Sequence, residues 1–367
     1  MPFMRVPQFD LARGAERIRP ELEERWGRIL DATAFVGGTE VSEFEEAFAA
    51  FLGAEGCVGV ANGTDAVELA LRALDLEPGD EVVVPAYTFI ATAAAVVLAG
   101  GRPTFVDVEA STLNIDPARL EDAFNERTVG VIGVHLYGRP FDIAAVDEIC
   151  RRRDLWLIED AAQAHGATHE GRPVGTFGAL ATWSFYPSKN LGAFGDGGAL
   201  TGRDTALLDR VRRLADHGRQ SHFSHGEPGR NSRLDALQAA VLNCRLPLLA
   251  EDNEKRRRLA GLYARGLEGV DELGWLIDPA ASRAVYHQMT VLHPRRDALR
   301  EHLSRAGIGS AVHYPRALHQ QAAFADAQTE APVAERAAET VLCLPMFPQL
   351  TDEEIEIVCA AIRSFAD

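Results

Sequence analysis

The sequence is poor in cysteine, and its few cysteines form no pairing or metal-binding pattern. Five cysteines are spread over 367 residues, and none lies in a Cys-x-x-Cys motif. An odd number of widely spaced cysteines is typical of reduced thiols in the cytosol rather than of a disulfide framework. Structural zinc sites usually use closely spaced cysteines or histidines, so we expect no metal centre.

The sequence also lacks any apolar run long enough to span a membrane. Its most hydrophobic segment, from Ile90 to Leu98, is ended by Gly100 and has about half the length that a spanning helix needs. The N-terminal residues show no charged segment followed by an apolar one, which is the pattern of a secretory signal. These absences predict a soluble, cytoplasmic protein without a membrane partner.

Positive charge is in deficit, with 37 Lys and Arg against 54 Asp and Glu and a net charge of −17. Such a surface excludes nucleic acid as the main partner. It would also repel a diphosphate at long range, although salt screens part of this repulsion. Local positive charge could offset this repulsion at Arg212, Arg213, Arg219 and the segment from Arg230 to Arg233. For Arg212 and Arg213, however, a solvated helix face is the better explanation. Lys255 to Arg258 likewise predicts an exposed helix surface.

Length and hydrophobic pattern predict two domains of unequal size. A chain of 367 residues exceeds the length that one core usually serves. Between Ala54 and Gly202, short continuous runs of valine, isoleucine and leucine alternate with helical periodicity, which predicts a mainly parallel sheet covered by helices. We expect a large α/β domain over residues 1–248, including an N-terminal helical segment, and a smaller α+β domain over residues 249–367.

The individual elements follow from the same patterns. Predicted strands cover residues 57–60, 81–84, 104–108, 130–135, 155–158 and 286–292. Predicted helices cover residues 65–74, 89–98 and 297–306, with a terminal helix from Thr351. A polar loop from Gly218 to Gly229 precedes a long helical region that begins at about Ser232 and is interrupted by Pro247.

Two residues point to chemistry with pyridoxal phosphate (PLP). Lys189 lies in a short segment with small residues around it, which can hold an amine close to a carbonyl. Asp160 ends the apolar run Leu-Trp-Leu-Ile-Glu-Asp, at the carboxyl end of a strand, where open α/β sheets place ligand contacts. A lysine for a Schiff base and an acid that keeps the pyridine protonated are what a PLP enzyme needs. A surface lysine in a loop is the weaker alternative for Lys189.

The chemistry sets conditions on these residues. Lys189, once displaced by a donor amine, would move a proton between the substrate and the cofactor, which requires a neutral amine. We therefore expect burial or nearby positive charge to depress its pKa. Glu159 should point to the opposite face of the strand from Asp160 and make a structural hydrogen bond.

A phosphate needs backbone donors at the start of a helix. Gly63 and Thr64, between a predicted strand and a predicted helix, supply close approach, a hydroxyl and the helix dipole. Asp65 is an awkward neighbour for a phosphate, so we expect it to turn away and cap the first helical turn.

Five ordered motifs resemble the DegT/DnrJ/EryC1/StrS family of sugar aminotransferases. Each motif alone is weak, but the ordered set is specific, and the resemblance extends from about Phe35 to Pro348. The motifs are Gly63-Thr-Asp-Ala, Tyr87-Thr-Phe-Ile-Ala-Thr92, Glu159-Asp-Ala-Ala-Gln-Ala-His-Gly166, Ser184 to Gly198, and Asn231-Ser-Arg-Leu-Asp-Ala-Leu-Gln-Ala-Ala240. The resemblance implies the fold of aspartate aminotransferase (fold type I).

The resemblance also implies roles for individual residues. Gln163 would reach the phenolic oxygen of PLP, and Ser184 would add a hydroxyl to the phosphate site. Phe89 would stack on the pyridine face, the alternative being a core phenylalanine. Asn231 would reach the same phosphate from the partner subunit, which makes a homodimer with shared active sites part of the expectation. His165 fits either a contact to the cofactor or an ordinary packed histidine.

Substrate contacts are harder to identify from the sequence. The candidates are Tyr186, Arg219, His313 and Tyr314. The segment His313-Tyr-Pro resembles a motif in family members that act on 3-keto nucleotide sugars. A structural histidine is an equally good explanation of His313.

Together these expectations describe a PLP-dependent, homodimeric aminotransferase. Through a Lys189 Schiff base and a two-stage cycle, it would move an amino group from L-glutamate, the usual donor in similar enzymes, to a 3-keto, dTDP-linked sugar. The alternatives are a cyclitol ketone aminotransferase, an aminoshikimate-type synthase and, more distantly, a non-catalytic regulatory protein on the same fold. A dehydratase branch of the family carries histidine in place of the lysine, and Lys189 argues against it.

Overall fold

The computed structural model of the chain describes residues 5–327 and 329–366. The helices are α1 (Leu11–Ala32), α2 (Thr39–Leu52), α3 (Gly63–Ala73), α4 (Ile90–Leu98), α5 (Leu120–Ala123), α6 (Ile143–Arg152), α7 (Thr205–Ala215), α8 (Ala236–Arg245), α9 (Leu249–Gly266), α10 (Arg296–Arg305), α11 (Pro332–Thr340) and α12 (Asp352–Ala366). The strands of the main sheet are β1 (Gly56–Val60), β2 (Glu81–Pro85), β3 (Arg102–Val106), β4 (Thr128–Val134), β5 (Trp156–Asp160), β8 (Leu180–Ser184) and β9 (Gly198–Gly202). The short strands are β6 (Thr168–His169), β7 (Arg172–Pro173), β10 (Arg219–Ser221), β11 (Ser224–His225), β12 (Gly274–Trp275), β13 (Ser282–Arg283), β14 (Met289–Leu292) and β15 (Val341–Leu344).

A seven-stranded sheet in the order β1-β9-β8-β5-β4-β2-β3 forms the centre of the molecule. Strand β9 runs antiparallel to both neighbours, and the remaining pairs of adjacent strands are parallel. The predicted mainly parallel sheet is therefore confirmed. Because every strand except β9 runs the same way, the carboxyl ends of β1, β5 and β8 meet at one edge.

The two faces of the sheet are both buried, each in its own core. Along β2, Val82 and Val84 pack in one core with residues of α3, α4 and α7, while Val83 packs in the other with residues of α2, α6 and α8. Each such side chain contributes about 1.5–3 kcal/mol when removed from water. Burial on both faces is the reason that the strands read as continuous apolar runs.

The C-terminal part of the chain has its own core. Helices α9, α10 and α12 pack there against β14 and β15, and these two strands pair antiparallel with each other. Pro247 lies in a 3₁₀ turn, Leu246–Leu248, between α8 and α9, so the predicted interruption of the long helical region is confirmed. The domain division at residue 248 stays a prediction.

Two local predictions are wrong. The polar segment from Gly218 to Gly229 is not entirely loop, because β10 and β11 pair antiparallel within it. The segment from Lys255 to Arg258 is not uniformly exposed, because the side chain of Arg256 is 5% exposed. It lies on the inner face of α9, where it donates to the carbonyl oxygens of Tyr286 and Met346.

Among the described residues, no helix combines the length and the apolar character that crossing a bilayer requires. The five cysteines are all buried and free.

Candidate active site

The candidate residues gather where the strands end. Asp160 is the last residue of β5, Ser184 is the last residue of β8, and Gly63 begins α3 shortly after β1. Lys189 follows β8 in a turn in which its backbone N–H donates to the carbonyl oxygen of Tyr186 over 2.8 Å. A lysine and a buried carboxylate therefore face the same edge of one sheet, which is where this class of fold places its ligands.

Asp160 is held by two hydrogen bonds in a buried position. Its Oδ2 accepts from Oγ1 of Thr92 over 2.9 Å, and its Oδ1 accepts from the backbone N–H of Ala162 over 3.2 Å. Burial raises the pKa of this carboxyl, while both hydrogen bonds and the charge of Lys189 oppose the rise. Thr92, on α4, belongs to a motif of the sequence but was not predicted to contact Asp160.

Lys189 carries an amine that is easily deprotonated. Burial lowers the pKa of Lys189 from 10.5 to about 8, against the opposing charge of Asp160. The expected depression is confirmed, and burial is its main cause. An amine with a pKa near 8 is neutral often enough at neutral pH to act as a nucleophile and a base.

Gly63 packs directly on Ser184. A Cβ placed on Gly63 would lie 2.7 Å from Cβ and 3.2 Å from Oγ of Ser184, so only glycine permits this approach. Asn62 caps α3, with its Oδ1 accepting from the N–H of Asp65 over 2.8 Å. The capping role predicted for the Asp65 side chain is thus wrong, and its carboxylate lies 3.3 Å from Arg230.

Gln163 belongs to a cluster of tyrosines. Its Oε1 accepts from the backbone N–H of Tyr137 over 2.6 Å, and its Nε2 donates to the hydroxyl of Tyr314 over 3.2 Å. The Tyr137 hydroxyl donates to the carbonyl oxygen of His313, and the N–H of Tyr314 donates to the Tyr87 hydroxyl over 2.7 Å. The structure thus brings Gln163, His313 and Tyr314 together, and Gln163 keeps a second N–H for a ligand.

Phe89 precedes α4 and is 51% exposed. The alternative of a core phenylalanine is therefore wrong. Its ring centroid lies 5.7 Å from that of Tyr314. The Phe89 ring therefore lies beside the tyrosine cluster, and part of it is exposed.

His165 is packed rather than presented to solvent. Its ring lies against Trp183, Phe185 and Phe48. Neither ring nitrogen has a hydrogen-bond partner among the residues that the structure describes. Burial, with the charge of Lys189 as the second cause, lowers its pKa to about 3, so His165 is neutral.

A network of amides next to Lys189 was not predicted. Asn190 Nδ2 donates to Oδ1 of Asn253 over 2.9 Å and to the carbonyl oxygen of Val285 over 3.0 Å. Asn253, on α9, donates in turn to the carbonyl oxygen of His165 over 2.8 Å. The turn that carries Lys189 is thereby fixed to α9. No sequence signal indicated these pairs, which join residues 63 and 88 positions apart.

For three predicted residues, the described part of the chain shows no side-chain hydrogen bond to this group. Tyr186 is 56% exposed. Arg219 lies on β10 and forms an ion pair of 3.2 Å with Asp216, and Asn231 forms an isolated bridge with the same residue. Their contacts to substrate or cofactor stay predictions.

Glu159 is fully buried on the face opposite Asp160. Its carboxylate accepts from the backbone N–H groups of Gly175, Phe177 and Gly178 at 2.7–2.9 Å and lies 3.2 Å from Nε2 of His135. Burial alone would raise its pKa, but the hydrogen bonds from His135 and these N–H groups outweigh it and lower the pKa of Glu159. The predicted structural role of Glu159 is confirmed.

We expect Glu159→Gln to lower the free energy of unfolding by about 2–4 kcal/mol at pH 7, because buried N–H groups lose a charged acceptor. A carboxyl whose pKa is lowered on folding stabilises above the unfolded value of 4.5, and this stabilisation is lost as the pH falls through the folded pKa. The difference in the free energy of unfolding between the wild type and Glu159→Gln should therefore become smaller in acid. Urea titrations from pH 7 down to pH 3 measure it, and a difference independent of pH would contradict the expectation.

The arrangement fits PLP. Among the described residues, the backbone N–H groups of Gly63 and Thr64 at the start of α3 have no hydrogen-bond acceptor, which leaves them for a phosphate. Asp160 supplies a fixed carboxylate for a protonated ring nitrogen, and Lys189 supplies the amine for an aldehyde. The other predicted cofactor contacts lie on neighbouring parts of the chain: Thr64 is in α3, Gln163 follows β5, and Phe89 precedes α4.

Comparison with known proteins agrees with this chemistry. The sequence profile of the DegT/DnrJ/EryC1/StrS aminotransferase family matches residues 16–363. UDP-N-acetyl-3-dehydro-alpha-D-glucosamine 3-aminotransferase from Acidithiobacillus ferrooxidans is 45% identical over 98% of this chain and 97% of that protein. dTDP-3-amino-3,4,6-trideoxy-alpha-D-glucose transaminase from Streptomyces venezuelae is 42% identical over 99% of this chain and 97% of that protein.

A solved structure is similar along the whole chain. The crystal structure of S. venezuelae DesV in complex with a ketimine intermediate superposes with a TM-score of 0.97, at 42% identity and with 99% of each chain covered. The predicted α/β architecture is thereby confirmed. The chain belongs to the DegT/DnrJ/EryC1/StrS aminotransferase family, and it is a PLP-dependent transaminase.

Proposed function

We propose that the protein transfers an amino group from L-glutamate to the 3-keto group of a sugar linked to a nucleoside diphosphate. The observation that carries the proposal is the pair formed by Lys189, with its lowered pKa, and the buried carboxylate of Asp160. Both relatives described above are named for amino transfer at carbon 3 of a nucleotide sugar. One name carries UDP and the other dTDP, so we propose a pyrimidine nucleotide, within which dTDP is the sequence-based expectation.

Some of the site residues would hold the cofactor, and others would move protons. PLP, when bound, supplies an aldehyde that condenses with amines and a ring that accepts the electron pair of the breaking bond. Gly63, Thr64 and Ser184 would hold the phosphate. Asp160 would keep the ring nitrogen protonated, and Gln163 would donate its free N–H to the phenolic oxygen.

Lys189 would carry the proton in both stages. Its Nζ would take the proton from the α-carbon of glutamate and would give it up again on the side of the cofactor. The same atom would make the reverse transfer on the keto sugar, so that one base would serve both substrates. A pKa of about 8 lets Nζ hold or release this proton near neutral pH.

We further propose a homodimer in which the partner completes each site. In the single chain, Asn231 is exposed, its backbone bridges to Asp216, and its side chain has no hydrogen bond among the described residues. A side chain that the resemblance assigns to the phosphate, and that has no hydrogen bond in its own chain, is explained if it serves the other subunit. Arg219, on the neighbouring exposed hairpin, would reach the substrate in the same way.

The donor half of the proposal is tested by visible absorption of the PLP-loaded protein, before and after L-glutamate is added without any sugar. We expect the band of the lysine-bound cofactor to bleach and the pyridoxamine band to rise, with release of one 2-oxoglutarate per site. A band that ignores glutamate would overturn the donor assignment. Absence of any band would overturn the assignment of Lys189.

The acceptor half is tested with the pyridoxamine-loaded protein and a panel of keto compounds. Uridine- and thymidine-linked 3-keto sugars should restore the original band, and mass spectrometry should find the amine on carbon 3. A cyclitol ketone or a dehydroshikimate-type ketone that reacts faster would replace the proposed acceptor by one of the alternatives.

A further inference from the structure

Two carboxylates lie beside the backbone groups that would hold the phosphate. Asp65 and Glu68 follow Gly63 by two and five residues, so both lie in the first two turns of α3. The two residues are 8% and 7% exposed, and water therefore screens their charges poorly. Because a phosphate is itself an anion, two carboxylates at this place would repel it.

The first of these carboxylates also competes with a phosphate for the helix dipole. The start of a helix attracts anions through its free N–H groups and its aligned peptide dipoles. An acidic side chain in the first turn is stabilised by the same dipoles. Asp65 therefore reduces the attraction that remains for a phosphate at Gly63 and Thr64, and the chemistry described so far gives this carboxylate no role.

Arg230 lies between the two carboxylates. Its Nη1 is 3.3 Å from Oδ1 of Asp65 and donates to Oε2 of Glu68. In the described part of the chain, it is the one cation within 4.0 Å of the Asp65 carboxylate. Nη1 of Arg72 lies 4.0 Å from the other oxygen of Glu68. Two arginines thus balance two carboxylates, and no net charge of this group is left beside the phosphate site.

The backbone of Arg230 is fixed without the help of these ion pairs. Its N–H donates to the carbonyl oxygen of Leu214 over 2.8 Å, and its carbonyl oxygen accepts from the N–H of His217 over 2.9 Å. Both hydrogen bonds tie the residue to the end of α7. A substitution of the Arg230 side chain should therefore remove the charge and leave the segment in place.

We propose that Arg230 neutralises Asp65 and Glu68 and thereby makes the start of α3 able to bind the phosphate of the cofactor. Arg230 acts through the two carboxylates, so it is a positioning residue and not a ligand of the phosphate. The inference rests on the proposed function in one respect, the assignment of the phosphate to Gly63 and its neighbours.

The first test compares pyridoxamine phosphate with pyridoxamine, which lacks the phosphate, in titrations of the cofactor-free protein followed by tryptophan fluorescence. Neither compound has an aldehyde to react with Lys189, so the titrations measure non-covalent binding. We expect Arg230→Gln to weaken binding of pyridoxamine phosphate by about fivefold to fiftyfold and binding of pyridoxamine by less than about twofold. A purely structural role of Arg230 would weaken both.

The second test uses a change of the opposite sign. Asp65→Asn removes the repulsion and keeps Arg230, so it should bind pyridoxamine phosphate about threefold to tenfold more tightly than the wild type. Added to Arg230→Gln, the same substitution should restore binding to within about threefold of the wild type. Arg230→Lys keeps the charge and should also stay within about threefold. Asp65→Asn creates no unpaired carboxylate, so the test holds even if Arg230→Gln does not fold.

Arg210→Gln is the matched control. Arg210 pairs with Asp75 at 2.6 Å and with Glu227 at 3.4 Å, and it donates to the carbonyl oxygen of Ala73 at the far end of α3. The 11 residues of this helix span about 16 Å, which exceeds the Debye length of about 8–10 Å at ordinary salt. Arg210→Gln should therefore bind pyridoxamine phosphate within about twofold of the wild type.

Three results would overturn the proposal: unchanged binding of pyridoxamine phosphate by Arg230→Gln, equal losses for both compounds, or no gain from Asp65→Asn. Failure of the proposed function is distinguishable from all three, because the titrations contain no substrate. A protein that shows the expected binding but transfers no amino group from L-glutamate to a keto sugar would keep the role of Arg230 and lose only the proposed reaction.

Discussion

Replacing Lys189 with alanine is expected to reduce amino transfer by at least about 10³-fold, because one side chain supplies both the covalent attachment and the base. The variant should still bind PLP through its phosphate and ring contacts. It should form no adduct with the protein that borohydride can reduce. The measurements are the rate of 2-oxoglutarate release and the mass of the reduced, digested protein.

The sequence supplies a matched control for this experiment. It contains two lysines, Lys189 and Lys255, so a reduced cofactor can mark only two lysine peptides. Lys255 lies on α9 in a surface ion pair of 2.7 Å with Glu251, and Lys255→Ala should keep full turnover and label at Lys189. A Lys189→Ala protein with a reducible adduct and full turnover would contradict the assignment.

Loss of activity in this variant should not be a loss of folding. The pKa of Lys189 is lowered on folding, from 10.5 to about 8, so its charged form opposes the folded state of the cofactor-free protein. This cost is fully present below pH 8 and disappears as the pH rises through 10.5. Without PLP, the alanine variant should therefore be at least as stable as the wild type at pH 7.

Much of the fold could be predicted because the strands of the central sheet are buried on both faces. Runs such as Val82 to Val84 are apolar throughout, and β2 begins at Glu81 and ends at Pro85, next to the predicted bounds. The hairpin β10–β11 was missed because all its residues are exposed and carry no alternating apolar pattern to mark a strand. Polar turn residues there resembled an ordinary loop.

The site was predictable where one short segment carries the chemistry, and unpredictable where distant segments meet. Lys189, Asp160 and Gly63 each stand in a local pattern of strand end, turn or helix start. The hydrogen bond from Thr92 to Asp160 joins residues 68 positions apart. Arg256 sits in a run of basic residues, and only the packing of α9 shows that it points inward while Arg258 points outward.

Asp160→Asn is expected to slow both half-reactions by about 10²–10³-fold, the cost of removing one fixed charge interaction from an enclosed site. Asparagine has nearly the same shape and can keep the hydrogen bond to Thr92, so the change removes charge with little change in packing. Without a carboxylate opposite the ring nitrogen, the protonated ring is no longer favoured. Stopped-flow rates with L-glutamate and with the keto sugar measure the two losses separately.

Thr92→Val provides the comparison, because it removes the 2.9 Å hydrogen bond to Asp160 and leaves the charge in place. We expect the rates of both half-reactions to fall equally, by about threefold to tenfold, because one hydrogen bond from a neutral donor is lost. The comparison is diagnostic because Asp160 and Thr92 act on a ring that both substrates share, so each variant should slow both half-reactions together. Equal rates for Asp160→Asn and the wild type would show that the carboxylate has no part in the chemistry and that burial of Asp160 serves the fold.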